Sequence, residues 1–251
     1  MQVYKSFITE LAEESGILIA GYFTSKSWSV DVKPDKTIVT QADREAEQLI
    51  RDRIRSRFPG HGVIGEEFGA ENKDAEFVWV IDPIDGTISF ASGVPLFGTL
   101  IGLLFQGEPI LGCIHQPVTG SLCIGDNRET LWNGQVCKVR ENIALEEATL
   151  LTTDLSHIAK HQKYSGFDSL LDKVKLFRTW GDCFGYLLVA AGKADIMLDA
   201  VMQPWDILPV IPVIRGAGGV ISGWQGEEAK GAQSCVAAAS GLHEQVLRHL
   251  R

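Results

Sequence analysis

The chain has 251 residues, 45% apolar and 22% charged, with a formal net charge of −9. That length and balance fit one large domain or two small packed ones, and they exclude extended disorder. The acidic excess excludes nucleic acid and anionic membranes as natural partners; a phosphorylated metabolite stays open, provided bound cations reverse the local field.

Met1 to Glu14 carries acids and no apolar core, so no signal peptide is expected. Tyr4 to Tyr22 places Phe7, Ile8, Leu11, Leu18 and Tyr22 on one helical face. Val30 to Lys36 is polar and turn-like. Thr40 to Phe58 reads as a second helix, with Ala46, Leu49, Ile50, Ile54 and Phe58 inward and the charges outward, ended by Pro59-Gly60. Val63-Ile64 and Phe77 to Ile81 read as buried strands. Thr99 to Phe105 and Ile110 to Ile114 suggest a hairpin, and Leu122 to Gly125 with the Asn133-Gly134 turn extends the meander. The first half is therefore expected to be α followed by antiparallel β.

The second half alternates. Strands are expected at Thr149 to Thr153, Lys175 to Thr179, Ile196 to Leu198, Val220 to Ser222 and Cys235 to Ala239. Helices are expected at Asp182 to Ala191, Asp206 to Gly216 and Leu242 to Leu250. This texture is βαβ-like. A soft boundary near Glu146 divides the chain into 1–145 and 146–251, packed as one unit. No stretch approaches 18 uncharged apolar residues, so no membrane span is expected. The five cysteines are odd in number and form no CxxC, which points to reduced thiols in the cytoplasm. Most of the six tryptophans are expected in the core, with Trp205 beside the acids.

The chemistry concentrates in carboxylates. In Trp79-Val-Ile-Asp82-Pro-Ile-Asp85-Gly-Thr87 a buried strand delivers Asp82, Pro83 breaks the ladder, and Asp85-Gly86 turns the chain into a helical start. Gly65-Glu66-Glu67 follows another apolar strand, and Asp206 follows Pro204-Trp205 at a helix start. Taken singly, these are a turn, a solvated pair and a helix cap. Together they bring oxygen ligands for a hard cation to one end of a core, beside helix N-terminal amides suited to an anion.

Gly65-Glu66-Glu67, Asp82-Pro83-Ile84-Asp85-Gly86-Thr87 and Trp205-Asp206 through Gly216-Ala217-Gly218-Gly219 resemble the inositol monophosphatase superfamily, in order and in spacing. The resemblance implies an α/β/α/β/α layered sandwich, a homodimer, and a phosphatase using Mg²⁺, two or three ions per site. Carried over by position, Glu66, Asp82, the Ile84 carbonyl, Asp85 and Asp206 would be metal ligands. Asp82 would bridge ions about 3.5–4 Å apart. Glu66, Thr87 and Asp43 would serve catalysis, with Thr87 positioning the attacking water and Asp43 behind it. Gly86 and Thr87 amides would hold the phosphate. Trp28 to Lys36 would be a flap over the site.

Within the superfamily, Gly181-Asp182-Cys183 and the Val213 to Ile221 run resemble the histidinol-phosphate phosphatases. Ser89 stands where inositol-preferring members carry Asn, and Ile88 departs from the Lys of the histidinol branch. Ser89, Asp182, Cys183, Asp199 and Asp206 would then line the substrate, with Asp182 and Asp199 facing a cationic group. Their plainer roles are a helix cap and a strand-end acid. Inositol 1-phosphate is the alternative substrate, and a catalytically idle metal-binding interaction module is the alternative from another class. A haloacid-dehalogenase-type register fails, because Asp85 lies three residues beyond Asp82 rather than two. No P-loop or HExxH occurs, and His157 and His161, four apart, are expected to be a solvated pair.

Overall fold

The N-terminal apolar stripe forms α1 (Gln2–Ser25), which buries Phe7, Ile8, Leu11, Ala12 and Ile19. The computed structural model describes residues 1–25, 29–32, 38–162 and 166–251. β1 (Val30–Val32) pairs antiparallel with β2 (Ile38–Thr40), so the turn expected at Val30 to Lys36 begins as a strand. The Val-Asp-Val alternation finds its partner in Ile-Val-Thr. Trp28 and residues 33–37, and with them most of the expected flap, lie outside the described residues.

α2 (Gln41–Arg57) starts on a capping box: the Thr40 amide donates to Asp43 Oδ2 at 2.8 Å, and Thr40 Oγ1 receives the Asp43 amide. Its burial corrects the expectation that all its charges face outward. Ala42, Ala46, Ile50 and Ile54 are buried, and so are Asp43, Glu47 and Arg51 one position further round.

The first sheet comprises β3 (Gly62–Gly65), β4 (Gly69–Glu71), β5 (Phe77–Asp85), β6 (Gly98–Phe105), β7 (Glu108–Gln116), β8 (Ser121–Gly125), β9 (Thr130–Trp132) and β10 (Gln135–Cys137), with α3 (Thr87–Ala91) between β5 and β6. The spatial order is β10-β9-β8-β7-β6-β5-β3-β4. The β6–β7 and β9–β10 hairpins turn on Gln106-Gly107 and Asn133-Gly134, all with positive φ, as tight two-residue hairpins require. One pair departs from the expected antiparallel meander: β3 and β5 are parallel, because β4 leaves on one side of β3 and the chain returns on the other.

The second sheet contains β11 (Thr149–Thr152), β12 (Leu176–Arg178), β13 (Ile196–Asp199), β14 (Gly219–Ser222) and β15 (Cys235–Ala239) in the order β12-β11-β13-β15-β14. β12, β11 and β13 run parallel, while β15 is antiparallel to both its neighbours. The helices are α4 (Leu155–His161), α5 (Phe167–Leu171), α6 (Asp182–Ala190), α7 (Pro204–Gly216) and α8 (Ser240–Leu250). α4 and α5, too short to show a periodic stripe, fill a stretch with no expected element.

Side-chain alternation builds the layers. On one face of the first sheet Trp79, Ile81, Ile101 and Leu103 pack against α1 and α2. On its other face Val78, Val80, Leu100 and Ile114 join Leu187 of α6, Ile211 and Ile214 of α7, and Met197 and Ala237 of the second sheet. Beyond that sheet Leu150, Ile196, Leu198 and Val236 meet Leu170, Leu242 and Val246. The result is the α/β/α/β/α sandwich. Trp79 and Trp224 are buried and Trp205 packs against the middle layer, but Trp180 is 44% exposed beneath the Arg178 guanidinium. All five cysteines are free, and among the described residues no helix is long and apolar enough to cross a membrane.

α7 approaches the first sheet at backbone distance. Gly102, Gly112 and Gly125 pair across β6, β7 and β8 and form a bare row. A Cβ on Gly112 would overlap the Pro209 carbonyl, one on Gly125 would come within 2.5 Å of the Pro212 carbonyl, and one on Gly102 within 3.2 Å of Pro209 Cα. Pro209 and Pro212 lie inside the helix, where each forfeits an N–H bond. The β8–β9 hairpin ties the C-terminal part of the helix down: the Asn127 amide donates to the Pro212 carbonyl at 3.2 Å and Thr130 Oγ1 to the Val213 carbonyl at 2.6 Å. Gly112→Ala is therefore expected to destabilise the protein by about 1–3 kcal/mol or more through overpacking, and to impair activity by displacing Asp206. Denaturant unfolding monitored by tryptophan fluorescence, alongside an assay, checks this.

Candidate active site

β5 carries the central acids, and its pairing with β6 slips between Asp82 and Asp85, where Pro83 supplies no N–H. The displaced backbone is held at each step. Thr99 Oγ1 donates to the Pro83 carbonyl at 2.9 Å and Thr87 Oγ1 to the Ile84 carbonyl at 3.0 Å. The Asp85 carboxylate accepts the Cys183 amide at the start of α6. The Ile84 side chain is buried with Ile19, Ala42, Ala46, Phe90 and Phe97. Asp206 is the third residue of α7, and its Oδ2 accepts the Gln203 amide at 2.8 Å. Asp206 is thus a helix cap with one oxygen, and its carboxylate is also within hydrogen-bond reach of Asp82.

Asp82, Asp85 and Asp206 each offer one carboxylate oxygen, and these lie within 4.8 Å of one another. Asp82 is 2% exposed, and its Oδ1 has no hydrogen-bond partner. A buried carboxylate oxygen without a donor is relieved by a proton or a cation, and an all-carboxylate set suits a hard divalent ion. The cluster can hold such a metal. Glu66, at the end of β3 with its amide on the Ile81 carbonyl, lies near enough for its charge to act on Asp82, Asp206 and Asp43.

Electrostatics mark the same place. Burial, then the charges of Glu66, Asp85, Asp206 and Asp43, push the Asp82 carboxyl well above the usual range. Burial and Asp182 do the same to Asp85, against the Cys183 amide. Burial raises Asp206 to about 7, Asp182 to about 7, Asp199 to about 6 and Asp43 to about 6. For Asp43 the Thr40 hydrogen bonds oppose the shift, and its Oδ1 is left 3.5 Å from Thr87 Oγ1.

The other expected positions fall as follows. Gly86 has φ 91° and precedes α3, where a Cβ would lie 3.0 Å from Asp182 Oδ2. Asp182 itself has φ 50°, a left-handed conformation that Asp tolerates better than most residues, and its amide donates to Thr153 Oγ1 at 2.8 Å. Its carboxylate makes no hydrogen bond among the described residues. Cys183 contributes its amide, while its side chain is buried in the middle layer. Asp199 is buried and already accepts the Thr153 amide at 3.2 Å and the Tyr186 hydroxyl at 2.8 Å. Ser89 sits half-buried in α3, its carbonyl accepting the Val94 amide. His157 and His161 are exposed on α4. Thr99, Thr153, Tyr186, Glu47 and Arg51 were not singled out from the sequence. Only the Asp43, Glu47, Arg51 spacing of four carried a signal.

The whole chain, residues 1–251, matches the profile of the inositol monophosphatase family. The bifunctional phosphatase IMPL2 of Arabidopsis thaliana is 40% identical over 96% of this chain and 72% of its own length. The histidinol-phosphatase of Chlorobaculum parvum is 40% identical over 87% of this chain and 85% of its own. Among solved structures, the extragenic suppressor protein suhB of Bartonella henselae superposes with a TM-score of 0.93 at 24% identity, covering 99% of this chain and 98% of that one. Fold and acid cluster together define a phosphatase of this architecture. The chain belongs to the inositol monophosphatase family.

The raised carboxylates make a stability prediction. A folded pKa above the ordinary 3.8 means that the contribution of the protonated form is full below about pH 4 and is lost as pH rises through the 6 to 7 of Asp43, Asp182, Asp199 and Asp206. Metal-free protein should therefore melt lower at about pH 8 than at about pH 5.5, and Mg²⁺ should restore more at the higher pH, where protons no longer compete with it for Asp206. Calorimetric melts in EDTA and in Mg²⁺ at both pH values measure this; an EDTA melting point that climbs with pH contradicts it.

Proposed function

We propose that the protein is a Mg²⁺-dependent phosphomonoesterase that converts L-histidinol phosphate to L-histidinol and phosphate. The observation that carries the substrate reading is the Asp182 carboxylate: it has no hydrogen-bond partner among the described residues, and it stands over Gly86 at the edge of the acid cluster. An ammonium or imidazolium would relieve its charge, whereas a polyol offers only neutral hydrogen bonds. The relatives named for histidinol phosphatase activity support the same choice.

Glu66, Asp82, the Ile84 carbonyl, Asp85 and Asp206 would hold Mg²⁺. Bound Mg²⁺ supplies charge neutralisation for the phosphoryl group and a lower pKa for water. The chain's own groups do the rest. Thr87 Oγ1 lies between the Ile84 carbonyl and Asp43 Oδ1. With its hydroxyl proton turned from the Ile84 carbonyl to Asp43, it can accept a proton from the attacking water while passing its own to Asp43. Asp43 suits that task because burial raises it to about 6 and Thr40 occupies its other oxygen. The first-turn amides of α3 have no intrahelical partner and can face phosphoryl oxygens.

The experiment is phosphate release with Mg²⁺ from L-histidinol phosphate, inositol 1-phosphate, a nucleotide monophosphate and a sugar phosphate, with EDTA as control. Histidinol phosphate should be preferred and EDTA should abolish turnover; preference for inositol 1-phosphate would overturn the pocket assignment and leave the metal site standing. Asp82→Asn should remove turnover in a protein that still folds, judged by circular dichroism. Asp182→Asn should raise KM for histidinol phosphate about tenfold, roughly 1.4 kcal/mol, with little change in kcat.

A further inference from the structure

Three charged or acidic residues of α2, Asp43, Glu47 and Arg51, follow one another at intervals of four and are all buried. Asp43 belongs to the site already described. Glu47 and Arg51 lie one and two turns further along, and their side chains are 0% and 4% exposed. Arg51 Nε donates to Glu47 Oε1 at 2.7 Å. An ion pair this deep loses the hydration of both partners, and apolar residues of similar volume would serve stability at least as well.

The remaining hydrogen bonds of the pair run to one short piece of backbone, and Arg51 Nη1 also lies 3.8 Å from the Glu71 carboxylate. Glu47 Oε2 accepts the Glu67 amide at 2.7 Å, and Glu47 Oε1 accepts the Phe68 amide at 3.2 Å. Arg51 Nη2 donates to the Gly69 carbonyl. Gly65 leaves the space, since a Cβ there would overlap the Glu47 carboxylate. The residue between Gly65 and this gripped segment is Glu66. β3 and its partner β5 hold the chain on one side of Glu66, with the Glu66 amide on the Ile81 carbonyl, and the Glu47–Arg51 pair holds it on the other.

We infer that Glu47 and Arg51 are positioning residues for metal capture: their ion pair fixes the backbone of residues 67–69 and so presents the Glu66 carboxylate to Asp82. The inference rests on the reading of Glu66 as a metal ligand. Neither residue touches the reacting atoms. The charge on Glu47 matters because a carboxylate can accept two amides and a guanidinium at once, whereas an amide side chain has one acceptor oxygen.

The test uses the full chain with Mn²⁺ as a spectroscopic probe, free Mn²⁺ being read by electron paramagnetic resonance, beside the Mg²⁺ dependence of histidinol phosphate turnover. Glu47→Gln is expected to weaken Mn²⁺ binding and raise the half-activating Mg²⁺ concentration by about 10- to 100-fold, the range for lost outer-shell support, with KM at saturating Mg²⁺ within about twofold of wild type. Arg51→Lys keeps the charge on Glu47 but cannot also reach Gly69, and should lie between wild type and Glu47→Gln. Ile54→Val, a buried change one turn further along the same helix, should leave Mn²⁺ binding as in wild type. Wild-type binding in Glu47→Gln, or equal weakening in Ile54→Val, overturns the inference. Should Glu47→Gln fail to fold, Arg51→Lys carries the same readouts, and wild-type Mn²⁺ binding in it has the same consequence. A wild-type protein that binds no Mn²⁺ instead sinks the metal reading of Glu66 on which the inference stands.

Discussion

The seating of α7 on the glycine row of the first sheet governs the rest of the molecule. Only bare backbone at Gly102, Gly112 and Gly125 lets a helix lie so close, and only that closeness brings the start of α7 to the broken end of β5. Asp206 comes from the second half of the chain, and Asp82 and Asp85 from the first. The same helix also packs beneath the second sheet, so one buried element joins the two sheets and completes the acid cluster. Stability of the middle layer and geometry of the site are therefore one constraint.

The acids are oriented by dividing their oxygens between scaffold and site. Asp206 caps α7 with one oxygen, Asp43 caps α2 with one, and Asp85 gives one to the start of α6. Asp82 keeps Oδ1 unpaired in a buried setting. A cluster of carboxylates in low dielectric raises each member's pKa, because every ionised neighbour disfavours the next charge. The fold accepts this unfavourable electrostatics at a single place, which is the pattern of a site prepared for a cation rather than of a packing interior.

α2 shows how much one helix face can carry. Ala42, Ala46, Ile50 and Ile54 pack on the core, and the adjoining line of Asp43, Glu47 and Arg51 reaches the loops that carry Thr87 and Glu66. The apolar line anchors the helix, so the polar line is held at fixed distance from both loops. Residues around the active centre are in this way referred to rigid elements as well as to one another.

Much of this was legible from sequence. Periodicity located the main helices and strands, and the Pro83 break with its flanking acids marked the centre, because local chemistry dictates both. The burial of Glu47 and Arg51 was not legible: a charge beside an apolar stripe looks solvated until a neighbouring loop supplies its partners. The parallel pairing of β3 with β5, the occupation of Asp199 by Tyr186 and Thr153, and the left-handed backbone at Asp182 were equally hidden. By itself the sequence determined which segments are helix or strand and which acids stand at their ends, since those depend on neighbours within a few positions. Which acids meet, and which charges are buried to hold them, was decided by the tertiary structure alone, because hydrogen bonds and desolvation act between groups that the chain keeps far apart.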